Sequence, residues 1–376
     1  MTRILEPLTV DPHDPAAILA DLEEAIVGKR ALLPVPAQDL SRAAQLRSSQ
    51  RVGQPIEDHI AMVIATSGST GTPKGAQLTP ANLVSSADAT HQRLGGQGQW
   101  LLAMPAHHVA GIQVLIRSLI AGVDPVCLDL SAGFDTDSFA AAAKELAATG
   151  ERCYTSLAPM QLAKVMDSLR GIEALQIFDA VLVGGAAINP QLARSAQRLR
   201  IKIVTTYGSS ETAGGCVYDG RPLPGTKLRV ARGRIHLGGP MIAAGYRNHP
   251  NHSAFVEPGW FATSDAGRVE KDLLTVTGRL DSVIDSGGLK LQPEVLEQAI
   301  LGVTGVTGVC VVGAPHPRLG QAIVAAYTGT ALPGEVIEGL DELPRWQLPK
   351  ELRHLEALPV AGPGKIDRKA VEKLFS

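Results

Sequence analysis

Aromatic residues are scarce in this chain: Phe, Tyr and Trp together make 4 % of 376 residues. A core of ordinary size must therefore come mostly from Ala, Val, Leu and Ile, within an apolar share of 45 %. Net charge is nearly absent. With 35 basic and 37 acidic residues the balance is −2, which excludes a general attraction to nucleic acid or to an anionic membrane surface. Disorder is excluded too, because it requires low hydrophobicity and high net charge. Cysteine is sparse and scattered: Cys127, Cys153, Cys216 and Cys310 form no C-x-x-C pair. Neither a zinc ribbon nor a disulfide framework is indicated, and reduced thiols in a cytoplasmic protein are expected. Long apolar runs are missing. The most apolar stretch, 110–130, is interrupted by Gln113, Arg117, Asp124 and Pro125, so no membrane span is expected. Residues 1–10 carry no signal-peptide pattern.

Glycine and proline, by contrast, are abundant. There are 39 and 25 of them, roughly a sixth of the chain against a usual ~12 %. Many of these glycines are expected where backbone turns sharply or approaches a ligand.

The first fifty residues read as helix and linker, with apolar residues at Ile18, Leu19, Leu22 and Ile26 after Asp14-Pro15. From residue 60 short apolar runs alternate with helical stretches. Residues 60–65 read as a strand buried on both faces. Thr79-Pro80 then caps a helix running to about Arg93. Further strands are expected at 101–104, 126–128, 154–157, 181–183 and 203–206, with helices at 137–148 and 190–199. Such β-α alternation implies an α/β fold with mainly parallel sheets flanked by helices. Short strands at 227–230, 234–237 and 274–277 suggest a small antiparallel or barrel-like β unit. Beyond 281 the pattern becomes α+β, with helices at 293–300, 335–340 and 367–375 and strands at 309–313 and 323–328. The expected division is a large N-terminal domain, 1–280, and a small mobile C-terminal domain, 281–376.

The most informative segment is Thr66-Ser67-Gly68-Ser69-Thr70-Gly71-Thr72-Pro73-Lys74-Gly75, directly after the buried strand. Its glycines let backbone fold around an anion, its hydroxyls add donors, and Lys74 adds a positive charge. This is phosphate-cradle chemistry. It is not a Walker A loop, since no Ser or Thr follows Lys74. The sequence here resembles the adenylate-forming superfamily of acyl-CoA synthetases, peptide-synthetase adenylation domains and luciferases. The signature loop of that superfamily, T-S-G-S-T-G-x-P-K-G, is matched throughout at 66–75, and further motifs follow in family order across residues 60 to 370.

What the resemblance implies can be carried over motif by motif. Val183-Gly184-Gly185-Ala186 would border adenine. In Tyr207-Gly208-Ser209-Ser210-Glu211-Thr212, Tyr207 would stack on adenine and Ser210, standing where the family has Thr, would touch the α-phosphate. Glu211 would ligate Mg2+, a hard cation suited to an oxygen ligand. In Trp260-Phe261-Ala262-Thr263-Ser264-Asp265, Asp265 would accept from both ribose hydroxyls; Ser264 replaces the usual glycine. Gly278-Arg279-Leu280-Asp281 would supply Arg279 to ribose and phosphate and Asp281 as the hinge. Gly287 and Gly288 would line the pantetheine tunnel of coenzyme A. Lys365, in Gly362-Pro363-Gly364-Lys365-Ile366-Asp367-Arg368, would bridge the reacting carboxylate and α-phosphate. His108, Thr155 and Ser156 fall in segments bordering the acyl pocket, and His249 with His252 form an H-x-x-H pair lacking the further ligands of a zinc site.

The resemblance implies an ATP-dependent acid–CoA ligase acting on a small carboxylic acid. The shortness of the chain, the early position of the loop and the glycine-rich run 211–220 are similar to the compact actinobacterial o-succinylbenzoate–CoA ligases of menaquinone biosynthesis. Another aryl or short-chain acyl-CoA ligase, and a nucleotide-binding regulatory protein without catalysis, stay open as alternatives, as does a homodimer.

Overall fold

The computed structural model describes residues 3–66, 72–361 and 365–375. The chain divides into two compact units: 1–185 with 196–229 and 236–262, and 186–195 with 230–235 and 263–376.

The larger unit holds two sheets. The first runs in the order Gly245–Tyr246, Gly75–Leu78, Met62–Ala65, Ala31–Pro36, Arg3–Val10, Pro55–Ile56. Its middle strands, Arg3–Val10 with Ala31–Pro36 and the latter with Met62–Ala65, are parallel. The second runs Arg221–Pro222, Gly214–Tyr218, Ile203–Ser209, Ala180–Val183, Cys153–Leu157, Gln99–Leu102, Val126–Cys127. Five of its strands, from Ile203–Ser209 to Val126–Cys127, pair in parallel. The α/β reading with mainly parallel sheets therefore holds, and the helix after Thr79 forms over Pro80–Leu94. Its cap is reciprocal: Thr79 Oγ1 accepts from the Asn82 N–H at 3.1 Å, and Asn82 Oδ1 accepts from the Thr79 N–H at 2.8 Å. The apolar stretch after residue 108 is the helix Val109–Ala121, largely buried and closed by Gly122 in the left-handed region. Among the described residues no helix is long and apolar enough to cross a membrane.

The reading of the first fifty residues as helix and linker is corrected. They carry the helix Leu19–Ile26 but also the strands Arg3–Val10 and Ala31–Pro36. Pro34 and Pro36 hide the second of these, since proline normally argues against an interior strand. Here it is tolerated for a geometric reason. The Leu32 N–H donates to the Ala61 carbonyl on the Met62–Ala65 side. Pro34 and Pro36 share that parity, so their missing N–H groups would point to the side where pairing stops at Leu32↔Met62.

The expected small β unit is a four-stranded sheet of Lys227–Ala231, Arg234–Gly238, Trp260–Glu270 and Leu273–Arg279. In the smaller unit the long hairpin Val306–His316 and Gly320–Gly329 is buried on both faces. Val309, Val311, Ile323, Ala325 and Tyr327 pack against the helix Pro293–Leu301 side, with Leu296 and Ile300. Cys310, Val312, Ala322, Val324 and Ala326 pack on the other side with Val371 of the last helix, Arg368–Glu372. Arg368 fixes that helix. Its guanidinium grips Glu297 through two contacts of 2.8 Å and donates to the Val311 carbonyl at 2.8 Å. Burial nonetheless leaves the Glu297 carboxyl above its usual range.

Arg368→Ala leaves the half-buried Glu297 carboxylate with only the Val311 N–H, at 2.8 Å, as a partner. The expected loss is about 2 kcal/mol of stability, the scale of a hydrogen bond to a charged group. Denaturant unfolding of the full chain reads it, and an unmoved midpoint contradicts the packing just described.

Candidate active site

The site begins at a hairpin. Met62–Ala65 leads into the glycine loop and Gly75–Leu78 leads out, antiparallel, with Ala65 opposite Gly75. The Thr66 N–H donates to the Lys74 carbonyl at 2.8 Å, closing the base. Ser67, Gly68, Ser69, Thr70 and Gly71 lie outside the described residues; Thr72 is exposed. The outgoing side is clamped. The Pro73 carbonyl accepts from Gln50 Nε2 at 2.7 Å and from Asn248 Nδ2 at 2.8 Å, and Asn248 Oδ1 accepts from the Gly75 N–H at 3.2 Å. Gly75 has no room for a side chain: a Cβ there would lie 2.0 Å from Gln50 Oε1 and 2.6 Å from Val63 Cγ1. Gln50 and Asn248 gave no signal in the sequence, because neither stands at a spacing that chemistry requires.

Lys74 and Glu211 are 137 positions apart in the chain, yet one tyrosine joins them. Lys74 Nζ lies 4.7 Å from the Tyr246 ring centroid, and Tyr246 Oη donates to Glu211 Oε1 at 2.5 Å. Both Tyr246 and Glu211 are buried. Burial and the adjacent carboxylate push the Tyr246 phenol up, so it stays a protonated donor. His252 packs its ring edge-on to Tyr246, 4.9 Å between centroids, and its Nε2 is 3.4 Å from Lys74 Nζ. Burial, and then the Lys74 charge, hold the His252 imidazole below its usual range.

Glu211 sits in a single 3-10 turn, Ser210–Thr212, at the end of the strand Ile203–Ser209. The Ser209 N–H donates to Thr212 Oγ1 at 2.8 Å, and Thr212 Oγ1 donates to the Gly214 carbonyl at 2.6 Å. Gly208 is required by close approach, since a Cβ would lie 2.2 Å from the Gly214 carbonyl oxygen. Tyr207 and Ser210 are half-buried. Next to this strand, Ala180–Val183 ends at Gly184, whose Cβ would meet Thr206 Oγ1 at 2.2 Å, and at Gly185, whose φ of +84° favours glycine. Gly184, Tyr207 and Gly208 thus stand at the carboxyl ends of neighbouring parallel strands, where open α/β sheets bind ligands. Ala186 is exposed.

Of the three residues expected near the acyl pocket, His108 stands at the residue before the helix Val109–Ala121, with no side-chain hydrogen bond to its first turn, and is half-buried. Thr155 is fully buried and donates its hydroxyl to the Leu101 carbonyl at 2.9 Å, so it faces protein. Ser156 is buried on the same strand. The sequence reading missed Arg117, the only buried Lys or Arg among the described residues. Its guanidinium lies 4.8 Å from the Trp100 ring, and its Nε has no hydrogen-bond partner among the described residues. Desolvation opposes its charge.

The smaller unit arranges its own set. Antiparallel pairing puts Asp265 opposite Arg279. Arg279 grips Asp281 with two hydrogen bonds of 2.8 and 2.6 Å, and also donates to Asp265 at 3.3 Å. The carboxylates outweigh burial and hold the guanidinium pKa up. Gly287 and Gly288, with φ of +64° and +84°, make the two-residue turn between Ile284–Ser286 and Leu289–Leu291. The helix expected at 293–300 follows, beginning at Pro293. The backbone of Lys365 lies in the strand Lys365–Ile366, paired with Val360–Ala361. Gly362, Pro363 and Gly364 fall outside the described residues.

A lone buried carboxylate fits magnesium, which takes one or two carboxylates and otherwise phosphates and waters. Among the described residues no group of three or more His, Cys, Asp or Glu could hold a metal by itself.

The sequence matches the family of AMP-binding enzymes over residues 8–247 and the AMP-binding enzyme C-terminal domain over residues 295–365. A probable 2-succinylbenzoate–CoA ligase of Mycobacterium tuberculosis is 45 % identical over 372 residues, covering 96 % of each chain. The 2-succinylbenzoate–CoA ligase of Escherichia coli is 29 % identical, over 97 % of this chain and 81 % of that one. Two solved structures share the fold. ATP-bound MatB from Rhodopseudomonas palustris aligns with a TM-score of 0.83 at 19 % identity, over 100 % of this chain and 89 % of that one. The Bacillus subtilis o-succinylbenzoate CoA synthetase in complex with the acyl-adenylate OSB-AMP aligns with a TM-score of 0.75 at 22 % identity, over 97 % of this chain and 83 % of that one. The chain therefore belongs to the AMP-binding, adenylate-forming enzymes.

Proposed function

We propose that the protein is a cytoplasmic, ATP-dependent acid–CoA ligase that converts 2-succinylbenzoate to 2-succinylbenzoyl-CoA. The observation carrying this reading is the junction of Lys74, from the glycine loop, with Glu211, from the Tyr-Gly-x-x-Glu segment, through Tyr246. The relative at 45 % identity supports the choice of acid.

In the first half-reaction the substrate carboxylate attacks the α-phosphate of ATP and pyrophosphate leaves. The backbone N–H groups and hydroxyls of 66–72 and the Lys74 ammonium hold the phosphates. Gly184, Gly185 and Ala186 border adenine and Tyr207 stacks on it, with Gly208 giving close backbone approach. Ser210 donates to the α-phosphate. Asp265 accepts from the ribose hydroxyls and Arg279 adds a cation there. Glu211 would hold magnesium, which when bound offsets negative charge on the phosphates. Lys365 neutralises charge shared by the attacking carboxylate and the α-phosphate. The part beyond Asp281 then turns about that residue. This withdraws Lys365 and brings Gly287-Gly288 to line the path of the coenzyme A thiol, which attacks the acyl-adenylate to give thioester and AMP.

2-Succinylbenzoate carries a second, aromatic carboxylate that does not react. A buried cation is the group to hold it. The partly unsatisfied guanidinium of Arg117 on the His108 helix supports that assignment.

A pyrophosphate-release assay over a panel of acids tests the substrate. Release is expected with 2-succinylbenzoate and much less with 4-oxo-4-phenylbutyrate, which lacks the aryl carboxylate. Equal release with both overturns the choice of acid, and release with no acid overturns the ligase reading. Lys365→Ala is expected to cut adenylate formation by about a hundred- to a thousandfold, the scale of one oxyanion-stabilising donor. Thioester formation from supplied acyl-adenylate should be largely spared. Equal loss of both half-reactions contradicts its role.

A further inference from the structure

The H-x-x-H pair remains unexplained by the reaction as described. His249 is exposed, but His252 is half-buried against Lys74 and Tyr246. Its two ring nitrogens have distinct tasks. Nδ1 accepts from the Ala254 N–H at 3.1 Å, within the turn that opens Ser253–Phe255. A nitrogen that accepts carries no proton, so the ring hydrogen sits on Nε2. That Nε2–H faces the Lys74 ammonium at 3.4 Å. An ammonium has three donors and no acceptor, so neither group can satisfy the other. The two converge as a pair of donors, and an anionic oxygen set against both satisfies them together.

Their position selects which anion. The residues proposed for adenine and the α-phosphate, Gly184, Tyr207, Gly208 and Ser210, stand at the ends of strands of the second sheet. Lys74 and His252 belong to the other side of Glu211, on the hairpin and turn beside Gly245–Tyr246 of the first sheet. Tyr246 spans the gap: its hydroxyl meets Glu211, its face carries Lys74, and its ring packs edge-on to His252. A triphosphate running from the second sheet toward the first therefore presents its outer phosphates to Lys74 and His252.

We propose that His252 is the second jaw of a clamp, with Lys74, on the pyrophosphate end of ATP, binding it in the substrate and retaining it as it leaves. The inference rests on the adenylate-forming reading and adds to it a binding residue that the glycine loop does not contain.

Calorimetric titration of the full chain with inorganic pyrophosphate and, separately, with AMP tests this. His252→Asn keeps an acceptor for the Ala254 N–H and removes the far nitrogen. His252→Gln restores a donor near the Nε2 position. The Asn variant is expected to bind pyrophosphate roughly tenfold more weakly, as the loss of one charge-assisted hydrogen bond requires. AMP affinity should be unchanged, and the Gln variant should recover most of the loss. Unchanged pyrophosphate affinity in the Asn variant overturns the clamp. An equal loss of AMP and pyrophosphate affinity overturns it too, because it marks a general distortion of the site. A wild-type chain that binds neither ligand overturns the ligase reading, and the clamp with it.

Discussion

A buried carboxylate needs a partner, and in this protein the hydroxyl of Tyr246 is that partner for Glu211. Leaving such a group unsatisfied costs on the order of 1–3 kcal/mol or more. The constraint therefore does two things. It fixes one oxygen of Glu211, and it fixes the ring of Tyr246, whose face and edge then seat Lys74 and His252. Charged and polar groups from positions 74, 211, 246 and 252 are gathered around a single aromatic ring.

The fold makes this possible by bringing two sheets of the larger unit to one place. One contributes a hairpin whose base is locked by Gln50 and Asn248. The other contributes parallel strands whose carboxyl ends open into glycine turns. In a chain with so few aromatics, Tyr246, Trp100 and Tyr154 are each fully or almost fully buried beside polar partners. Trp100 packs against Tyr154 at 5.1 Å and carries the Arg117 guanidinium. The smaller unit depends on a similar device, the Arg368–Glu297 pair, to hold the helix that follows Lys365.

The sequence made legible those parts whose chemistry is local. Glycine, hydroxyl and lysine crowded into 66–75 announce a phosphate loop, and the β-α alternation announces the parallel sheet. The helix start at Thr79 is legible from its cap and the one at Pro293 from the proline of its first turn. Ala31–Pro36 was not, because whether proline is tolerated depends on where a neighbouring strand stops pairing. Tyr246, Asn248, Gln50 and Arg117 escaped for a related reason. Their roles arise only from contacts across the fold, such as the 35 positions between Glu211 and Tyr246. The H-x-x-H spacing of His252 lacks the further ligands of a metal site, and the group that gives this histidine its setting is a lysine 178 positions away in the chain. Thr155 follows from the resemblance, through a segment that borders the acyl pocket, but its hydroxyl is spent on the Leu101 carbonyl of the neighbouring strand.

Tyr246 organises Glu211 through its hydroxyl, and Tyr246→Phe removes that hydroxyl while keeping the ring under Lys74. ATP affinity of this variant, titrated with and without magnesium, is the most direct measurement. The magnesium-dependent gain in ATP affinity is expected to fall by about tenfold, in line with loss of a hydrogen bond to a charged group. Binding of AMP without magnesium should be unchanged. A full magnesium-dependent gain in the Phe variant would contradict the claim that this hydrogen bond sets the carboxylate.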